Sequence, residues 1–200
     1  AAAIGAGLPI SEATGSMIVD IGGGTTEIAV MSLGGVVFSK SLRIAGDAMD
    51  GAIINYMRKK FNLLIGESTA EKIKKEIGTA IPTTNNVFLM KGRDIRTGTP
   101  KEISLTEEDA CEALMPILNQ MLAAIKEALE STPPELSADL VDMGLVLTGG
   151  GAMLKNIDKL ISKDTGLPVT IADNPLECVA IGTGKALENE ELFSTMMSEY

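Results

Sequence analysis

The sequence has no histidine and no tryptophan among its 200 residues, and this absence limits the chemistry that it can support. Without histidine, Ser-His-Asp and Cys-His catalysis are excluded, as are zinc sites built on histidine ligands. Any chemistry must therefore use carboxylates, hydroxyls, lysines, backbone amides and a hard metal ion.

Aromatic residues and positive charge are also scarce. Four Phe and two Tyr offer few surfaces on which bases could stack, and 17 basic against 27 acidic residues give a net charge of −10. Such a chain repels nucleic-acid backbones at long range. We therefore expect no nucleic-acid partner, and we expect any phosphate ligand to be held by local groups.

Cysteines are few, and long apolar runs are missing. Cys111 and Cys178 lie far apart with no C-x-x-C motif, which favours reduced thiols in a cytoplasmic protein. No apolar run approaches the roughly 18 residues of a membrane-spanning helix, and no basic segment precedes the Ala-rich start. Because Ala1 stands where a Met is expected and the first seven residues resemble the end of a helix, we expect a fragment of a longer protein.

The beginning of the chain has the pattern of a β-meander. Residues 16–20 predict a short buried strand, residues 22–26 a glycine turn, and residues 27–31 a second strand. Residues 36–44 alternate and extend the meander.

The middle of the chain predicts two helices and a hairpin. Asp47 is expected to cap a helix that runs to Phe61, and Ser68 with Glu71 has the spacing of a capping box for a short helix. Residues 82–105 predict a hairpin in a small subdomain.

The last part returns to strands and helices. Thr106 with Asp109 is expected to begin the longest helix, which Pro116 should kink or break. A polar stretch follows residues 132–134. Beyond it we expect strands at residues 144–148 and 167–171 and helices at residues 153–163 and 175–188.

The first glycine loop, residues 20–27, places an acid at a strand end before three bare glycines. Glycine amides reach phosphate oxygens directly, and Asp20 beside them can hold a hydrated Mg²⁺. It is not a Walker P-loop, because no G-x-x-x-x-G-K-[ST] occurs and the glycines join two strands. The alternative interpretation is a glycine-rich hairpin turn with a capping Asp.

A second glycine loop, residues 147–152, joins a strand to a helix and favours an anion or a ribose-phosphate edge. A tight turn without a ligand is the alternative. Between the loops, Glu71, Lys74 and Lys75 share one helix face, where Glu71 can accept bonds from ribose hydroxyls and the lysine stems can lie along an adenine. A solvated charge pair is the alternative there. We hypothesise that both loops converge, across this face, on one adenine nucleotide.

These loops belong to a wider set of segments that resembles one family. The chain is similar, from Ala1 to about Glu188, to the carboxy-terminal half of MreB-like bacterial actins in the actin, sugar-kinase and heat-shock-chaperone ATPase superfamily. The segments that carry the resemblance are AAAIGAGLP (1–9), GSMIVDIGGGTTE (15–27), GESTAEKIKKEIG (66–78), PPEL (133–136) and LTGGGA (147–152).

The resemblance implies a fold and a division of the chain. The fold would be an α/β, ribonuclease-H-like domain with a mixed sheet flanked by helices and a smaller inserted helical subdomain. Residues 1–46 and 106–172 would form the nucleotide-binding domain, residues 47–105 the insertion, and residues 173–200 a helix and tail that pack against a missing first half.

The resemblance also implies a site for ATP and Mg²⁺. Asp20 would lie near the Mg²⁺, through water, and Thr25 would help to position the attacking water; both would be catalytic. The residues that would hold the nucleotide are Gly22, Gly23, Gly24, Thr25, Glu71, Lys72, Ile73, Lys74, Gly150, Gly151, Ala152 and Met153.

The function implied for the parent is an ATP-dependent, filament-forming scaffold that organises cell-wall synthesis and maintains rod shape. Its partners would be further copies of itself and cell-shape and cell-wall synthesis proteins at the membrane. It would be cytoplasmic and associated with the inner face of the cell membrane, through the missing half only. Alternatives are a non-catalytic interaction module and a small-molecule kinase of the same superfamily. We expect no ATP hydrolysis by the chain alone, because positioning and charge stabilisation from both halves carry phosphoryl transfer.

Overall fold

The computed structural model describes residues 1–188, which contain eight strands, seven α-helices and a 3₁₀ turn at Gly150–Met153. The strands are β1 (Ser16–Ile21), β2 (Thr26–Ser32), β3 (Gly35–Leu42), β4 (Leu63–Leu64), β5 (Val87–Asp94), β6 (Pro100–Thr106), β7 (Leu145–Thr148) and β8 (Val169–Ile171). The helices are α1 (Ala2–Gly5), α2 (Gly46–Phe61), α3 (Glu67–Glu76), α4 (Glu107–Glu130), α5 (Pro134–Met143), α6 (Ile157–Thr165) and α7 (Cys178–Glu188).

A mixed sheet in the order β3-β2-β1-β7-β8 forms the centre of the fold, as expected. β2 is antiparallel to β1 and to β3, whereas β7 is parallel to β1 and to β8. Asp20 is paired with Glu27 on β2 and with Thr148 on β7. The carboxyl ends of β1 and β7 therefore meet at one edge, and each is followed by a glycine loop.

The chain between β3 and α4 contains α2, α3 and a second sheet in the order β4-β5-β6. The hairpin predicted within residues 82–105 is confirmed by the antiparallel pair β5 and β6. β4 was not predicted, because two residues are too few to give a period-two pattern. The division of the chain at residues 46, 105 and 172 stays a prediction.

The capping box of α4 is confirmed. The Thr106 hydroxyl accepts from the Asp109 backbone N–H at 3.2 Å, and the Asp109 carboxylate accepts from the Thr106 N–H at 3.0 Å. α4 is continuous through Pro116, so the break expected there is absent, and the alternative of a kink stays a prediction. Leu114 and Leu118 lie on either side of the proline, and both side chains are buried in the core. They anchor the two halves of the helix to the core.

Two other cap predictions are wrong. α2 begins at Gly46, and its first amides are taken by backbone carbonyls of the first glycine loop, so Asp47 lies inside the first turn and caps nothing. α3 begins at Glu67 after Gly66, which places Ser68 in the helix and leaves Glu71 free of a capping role.

The stretch after residue 134 also differs from the prediction. It forms α5, whose single fully buried side chain, Leu140, gives too weak an apolar pattern to indicate a helix. α6 starts only at Ile157, because Asn156 has a left-handed φ of 60°. Gly166 ends α6 with φ 77°, as predicted.

α7 begins at Cys178, later than predicted, and packs against α1 through two glycines. A Cβ at Gly5 would lie 1.7 Å from the Cys178 carbonyl oxygen, and a Cβ at Gly182 would lie 1.9 Å from that of Ala1. The described part of the last helix is therefore held by this chain itself; the predicted tail after Glu188 lies outside the described residues.

Both cysteines are buried and free, in agreement with the predicted reduced thiols. Among the helices of residues 1–188, none is both long and apolar enough to cross a membrane.

Candidate functional site

Both glycine loops and one face of α3 line a single open cleft of about 1090 Å³. This is the convergence that the sequence predicts. The predicted site residues that line it are Asp20, Gly22, Gly23, Glu71, Lys74, Gly150, Gly151 and Met153.

The second glycine loop lies directly against the end of β1. Gly149 has φ 81°, and a Cβ there would lie 2.4 Å from the carbonyl oxygen of Ile21. A Cβ at Gly151 would lie 2.2 Å from the Ile21 side chain. Glycine is required at both positions because no side chain fits between the loop and the strand.

The first glycine loop is held from behind by the start of α2. The carbonyls of Gly22 and Gly23 accept from the N–H groups of Gly46 and Asp47 at 3.1 and 2.8 Å. In residues 1–188, the amides of Gly23 and Gly24 have no protein acceptor. Unpaired backbone donors need a partner from water or a ligand, so the amide of Gly23, which lines the cleft, is available to an anion there.

The space in front of this loop is open. The nearest protein atoms to a Cβ at Gly23 and at Gly24 belong to the Asp47 carboxylate, at 3.7 and 3.9 Å. A side chain at Gly23 would therefore enter the cleft without meeting the core. Asp47 also lines the cleft, a position that the sequence analysis missed when it treated this residue as a helix cap.

Asp20 stands at the edge of the cleft, where its Oδ1 accepts from the Thr148 hydroxyl at 3.1 Å. Within the described residues, no group of three or more Cys, Asp or Glu side chains is arranged to hold a metal ion. A Mg²⁺ near Asp20 would thus retain most of its water ligands, which this ion commonly does.

The two threonines after the glycines differ in role. Thr25 is exposed and lies outside the set of residues in 1–188 that line the cleft, as does Gly24. Thr26 is fully buried, and its hydroxyl donates to the Ile44 carbonyl at 2.6 Å. Thr26 therefore fixes β2, and only Thr25 has a hydroxyl accessible to solvent.

Glu71 and Lys75 form an ion pair at 2.7 Å on the surface of α3. The hydrogen bond from Lys75 lowers the pKa of the Glu71 carboxyl, which is half exposed. The charge pair that we considered as an alternative does exist, but both of its members also line the cleft.

Lys74 points away from that pair. Its ammonium donates to the Asp50 carboxylate at 2.9 Å and to the Gly46 carbonyl at 3.0 Å, beside the first glycine loop. Burial raises the pKa of Asp50, and the bond from Lys74 opposes the rise. Asp50 also lines the cleft, and no local pattern indicated it because its partner is on another helix.

Besides Gly24 and Thr25, three further predicted residues lie outside the cleft lining as described for residues 1–188. Lys72 is exposed, with its ammonium 5.8 Å from the centre of the Phe88 ring. Ile73 and Ala152 are fully buried in the core. Their side chains position α3 and the second loop from behind.

Comparisons with known proteins identify the family of the chain. The family model described as MreB/Mbl protein matches residues 1–195. The cell shape-determining protein MreB of Escherichia coli strain K12 is 56% identical over 189 residues, which cover 94% of this chain and 54% of that protein. The chain thus spans about half the length of the curated relatives it matches.

Solved structures agree as well. MreB 5 of Spiroplasma citri bound to AMPPNP superposes with a TM-score of 0.91 at 38% identity, over 100% of this chain and 60% of that one. The ADP-bound structure of MreB5 of the same organism gives 0.89 at 40% identity, over 94% of this chain and 60% of that one. The fold is therefore actin-like, and the chain belongs to the MreB/Mbl protein family.

Proposed function

We propose that this chain forms one side of the ATP site in a filament-forming bacterial actin that organises cell-wall synthesis and maintains rod cell shape. The observation that carries the proposal is the single cleft shared by the two glycine loops and α3. The AMPPNP and ADP complexes of the Spiroplasma citri relatives support a nucleotide as the ligand. The name of the Escherichia coli relative supports the role in cell shape.

The residues present fit ATP. The unpaired amides of Gly23 and Gly24 suit the β- and γ-phosphates, and Glu71 suits the ribose hydroxyls. The segment Gly150–Met153 is a 3₁₀ turn whose first amides have no partner within the turn, and it would close over the ribose and α-phosphate. The stem of Lys75 would lie along the adenine.

Asp20 would hold Mg²⁺ through water, and the ion would neutralise phosphate charge. A cation is required to offset the phosphate charge in this cleft, because the Asp47 carboxylate adds a further negative charge beside the first glycine loop. The exposed hydroxyl of Thr25 would orient the attacking water.

ATP hydrolysis would be coupled to polymerisation in the complete protein. Phosphoryl transfer depends on groups placed around the whole phosphate chain, and this chain supplies them from one side of an open cleft. We therefore expect the isolated chain to bind nucleotide without turning it over. Further copies of the protein, and cell-shape and cell-wall synthesis proteins at the inner face of the cell membrane, would be its partners in the cytoplasm.

The test is a calorimetric titration of the 200-residue chain with Mg-ATP. We expect binding by the wild type and none by Gly23→Val, because the valine blocks backbone approach to the phosphates while the backbone at Gly23 needs no positive φ. Gly184→Val is the matched control, since Gly184 lies on α7 with no heavy atom within 4 Å of its Cβ position. A wild-type chain without affinity for Mg-ATP, or a Gly23→Val chain with unchanged affinity, would refute the site.

A further inference from the structure

The segment that leaves the end of α3, residues 78–81, runs beside Lys155 and Asn156, which follow the second glycine loop. Thr79 and Lys155 form an isolated parallel bridge. The Ala80 N–H donates to the Lys155 carbonyl at 2.8 Å. The Thr79 hydroxyl donates to the Ile81 carbonyl at 2.7 Å, and the Lys155 carbonyl oxygen lies further from it, at 3.2 Å. Thr79 and Ala80 are almost completely buried, so these bonds form away from water.

The side chains of Asn156 and Lys155 add further bonds between the two segments. The Asn156 amide donates to the Thr79 hydroxyl at 3.2 Å and to the Ile81 carbonyl at 2.9 Å. The Lys155 ammonium donates to the Glu76 carbonyl at 2.5 Å, at the last residue of α3, where helix carbonyls lack partners. We call this set of bonds the 155–156 clasp.

The clasp joins two walls of the cleft. Gly78, at the end of the α3 wall, and Lys155, at the end of the second-loop wall, both line the cleft. The first glycine loop is held independently, by the bonds from Gly46 and Asp47 to its carbonyls. Lys74 of α3 bonds the Gly46 carbonyl, so α3 is joined to the phosphate side by Lys74 and to the second glycine loop by the clasp. Substitutions at 155 and 156 remove only the second connection.

We propose that Lys155 and Asn156 are positioning residues that fix the spacing between α3 and the second glycine loop, and thereby shape the cleft for the nucleoside part of a purine nucleotide. The proposal rests on the nucleotide site described above. With the clasp intact, α3 and the second glycine loop keep a fixed spacing, and a nucleoside that contacts both meets a preorganised surface. Without the clasp, binding must first order these two walls, and this cost weakens the affinity for the nucleotide.

Loss of the clasp should affect some ligands and not others. A loosened clasp should weaken ligands that contact α3 and the second loop together. It should spare a ligand that uses only the amides of Gly23 and Gly24. A general loss of folding would weaken both kinds of ligand, so the ratio of the two affinities distinguishes positioning from a merely structural role.

The experiment compares Mg-ATP with Mg-pyrophosphate, which has only the two phosphates assigned to Gly23 and Gly24, as calorimetric probes on the 200-residue chain. Asn156→Gly removes the amide and keeps the left-handed backbone, while Lys155→Met removes the ammonium and keeps the stem. Lys163→Met, an exposed lysine at the other end of α6, is the control. We expect each clasp variant to raise the Kd for ATP roughly tenfold and to leave the Kd for pyrophosphate within about twofold.

Hydrogen exchange of the Ala80 amide in the ligand-free chain gives a second readout, and it should accelerate in both clasp variants. An unchanged Kd for ATP, an equal loss for both probes, or unchanged Ala80 exchange would overturn the positioning role while leaving the nucleotide site intact. A wild-type chain that binds neither probe would instead overturn the site itself, and the positioning role with it.

Discussion

The ammonium of Lys74 on α3 lies 2.9 Å from the carboxylate of Asp50 on α2, and only about 15% of each side chain is exposed. The same ammonium also bonds the Gly46 carbonyl, and the Gly46 N–H holds Gly22 of the first glycine loop. One lysine therefore connects the wall formed by α3 to the support of the phosphate side. It is better described as part of the frame of the cleft than as a surface charge.

Replacement of Lys74 by Met should destabilise the chain. It leaves the Asp50 carboxylate without its cation in a largely buried position, and the loss of one partner of a buried pair costs roughly 3 kcal/mol. Lys75→Met removes an exposed lysine from the same helix and should leave the free energy of unfolding nearly unchanged. Urea unfolding of the three chains measures the difference; equal stabilities for the two variants would contradict the role of Lys74.

The contact between α1 and α7 is tested by two glycines on α7. In Gly182→Ala the new Cβ would meet the Ala1 carbonyl oxygen, so α1 must shift and the free energy of unfolding should fall by about 2 kcal/mol. In Gly184→Ala no atom lies within 4 Å, and the better helix propensity of alanine should add roughly 0.5–1 kcal/mol. Opposite shifts in the thermal midpoint are expected; shifts in the same direction would show that α7 does not pack on α1 as described.

Glu107 gives the fold a dependence on pH. The bond from the Thr84 hydroxyl, together with bonds from the N–H groups of Thr83 and Thr84, lowers the pKa of this almost fully buried carboxyl below its ordinary value of 4.5. Because the pKa is lower in the folded chain, the stability that Glu107 contributes is complete above pH 4.5 and is lost as the pH falls through the folded value.

Glu107→Gln should therefore cost roughly 2 kcal/mol at pH 7, and its difference from the wild type should shrink below pH 4.5. Glu108→Gln, which alters the exposed neighbour, is the control and should follow the wild type throughout. Urea unfolding at a series of pH values provides the measurement. A difference that stays constant from pH 7 to below pH 4.5 would exclude the carboxylate as its source.

Local signals in the sequence predicted the strands and loops of the site well. The glycines at 149 and 151 mark a turn that only bare backbone can make beside β1, and those at 22–24 mark the loop between two strands. The capping box at Thr106 is a four-residue pattern. The caps assigned to Asp47 and Ser68 were wrong because the first amides of α2 are satisfied by the distant Gly22 and Gly23 carbonyls, and α3 begins one residue before Ser68.

The contacts that shape the cleft could not be predicted in the same way. Asp50 meets Lys74 across two helices, and Asn156 meets Thr79 and Ile81 from another part of the chain. No periodicity or short motif encodes such a pair, because each side chain is ordinary in its own segment. Only the folded chain brings these residues together.

Asp20 should matter more for turnover than for affinity. The test uses a protein in which this chain replaces the matching part of the Escherichia coli relative, so that both sides of the cleft are present. Asp20→Ala should lower kcat for ATP hydrolysis roughly 100-fold and change the Kd for ATP much less, since the amides hold the phosphates while Asp20 holds Mg²⁺ and water. Asp142→Ala, on the exposed face of α5, is the control. Unchanged turnover in Asp20→Ala would refute the assignment.

The central claim is that both glycine loops and α3 bind one nucleotide. An NMR titration of the ¹⁵N-labelled 200-residue chain with Mg-ATP tests it most directly, because each backbone amide reports separately. We predict that the signals of Gly23, Gly24, Gly150, Gly151 and Glu71 shift together with one common Kd. Shifts confined to one loop, or different Kd values for the two loops, would contradict the claim.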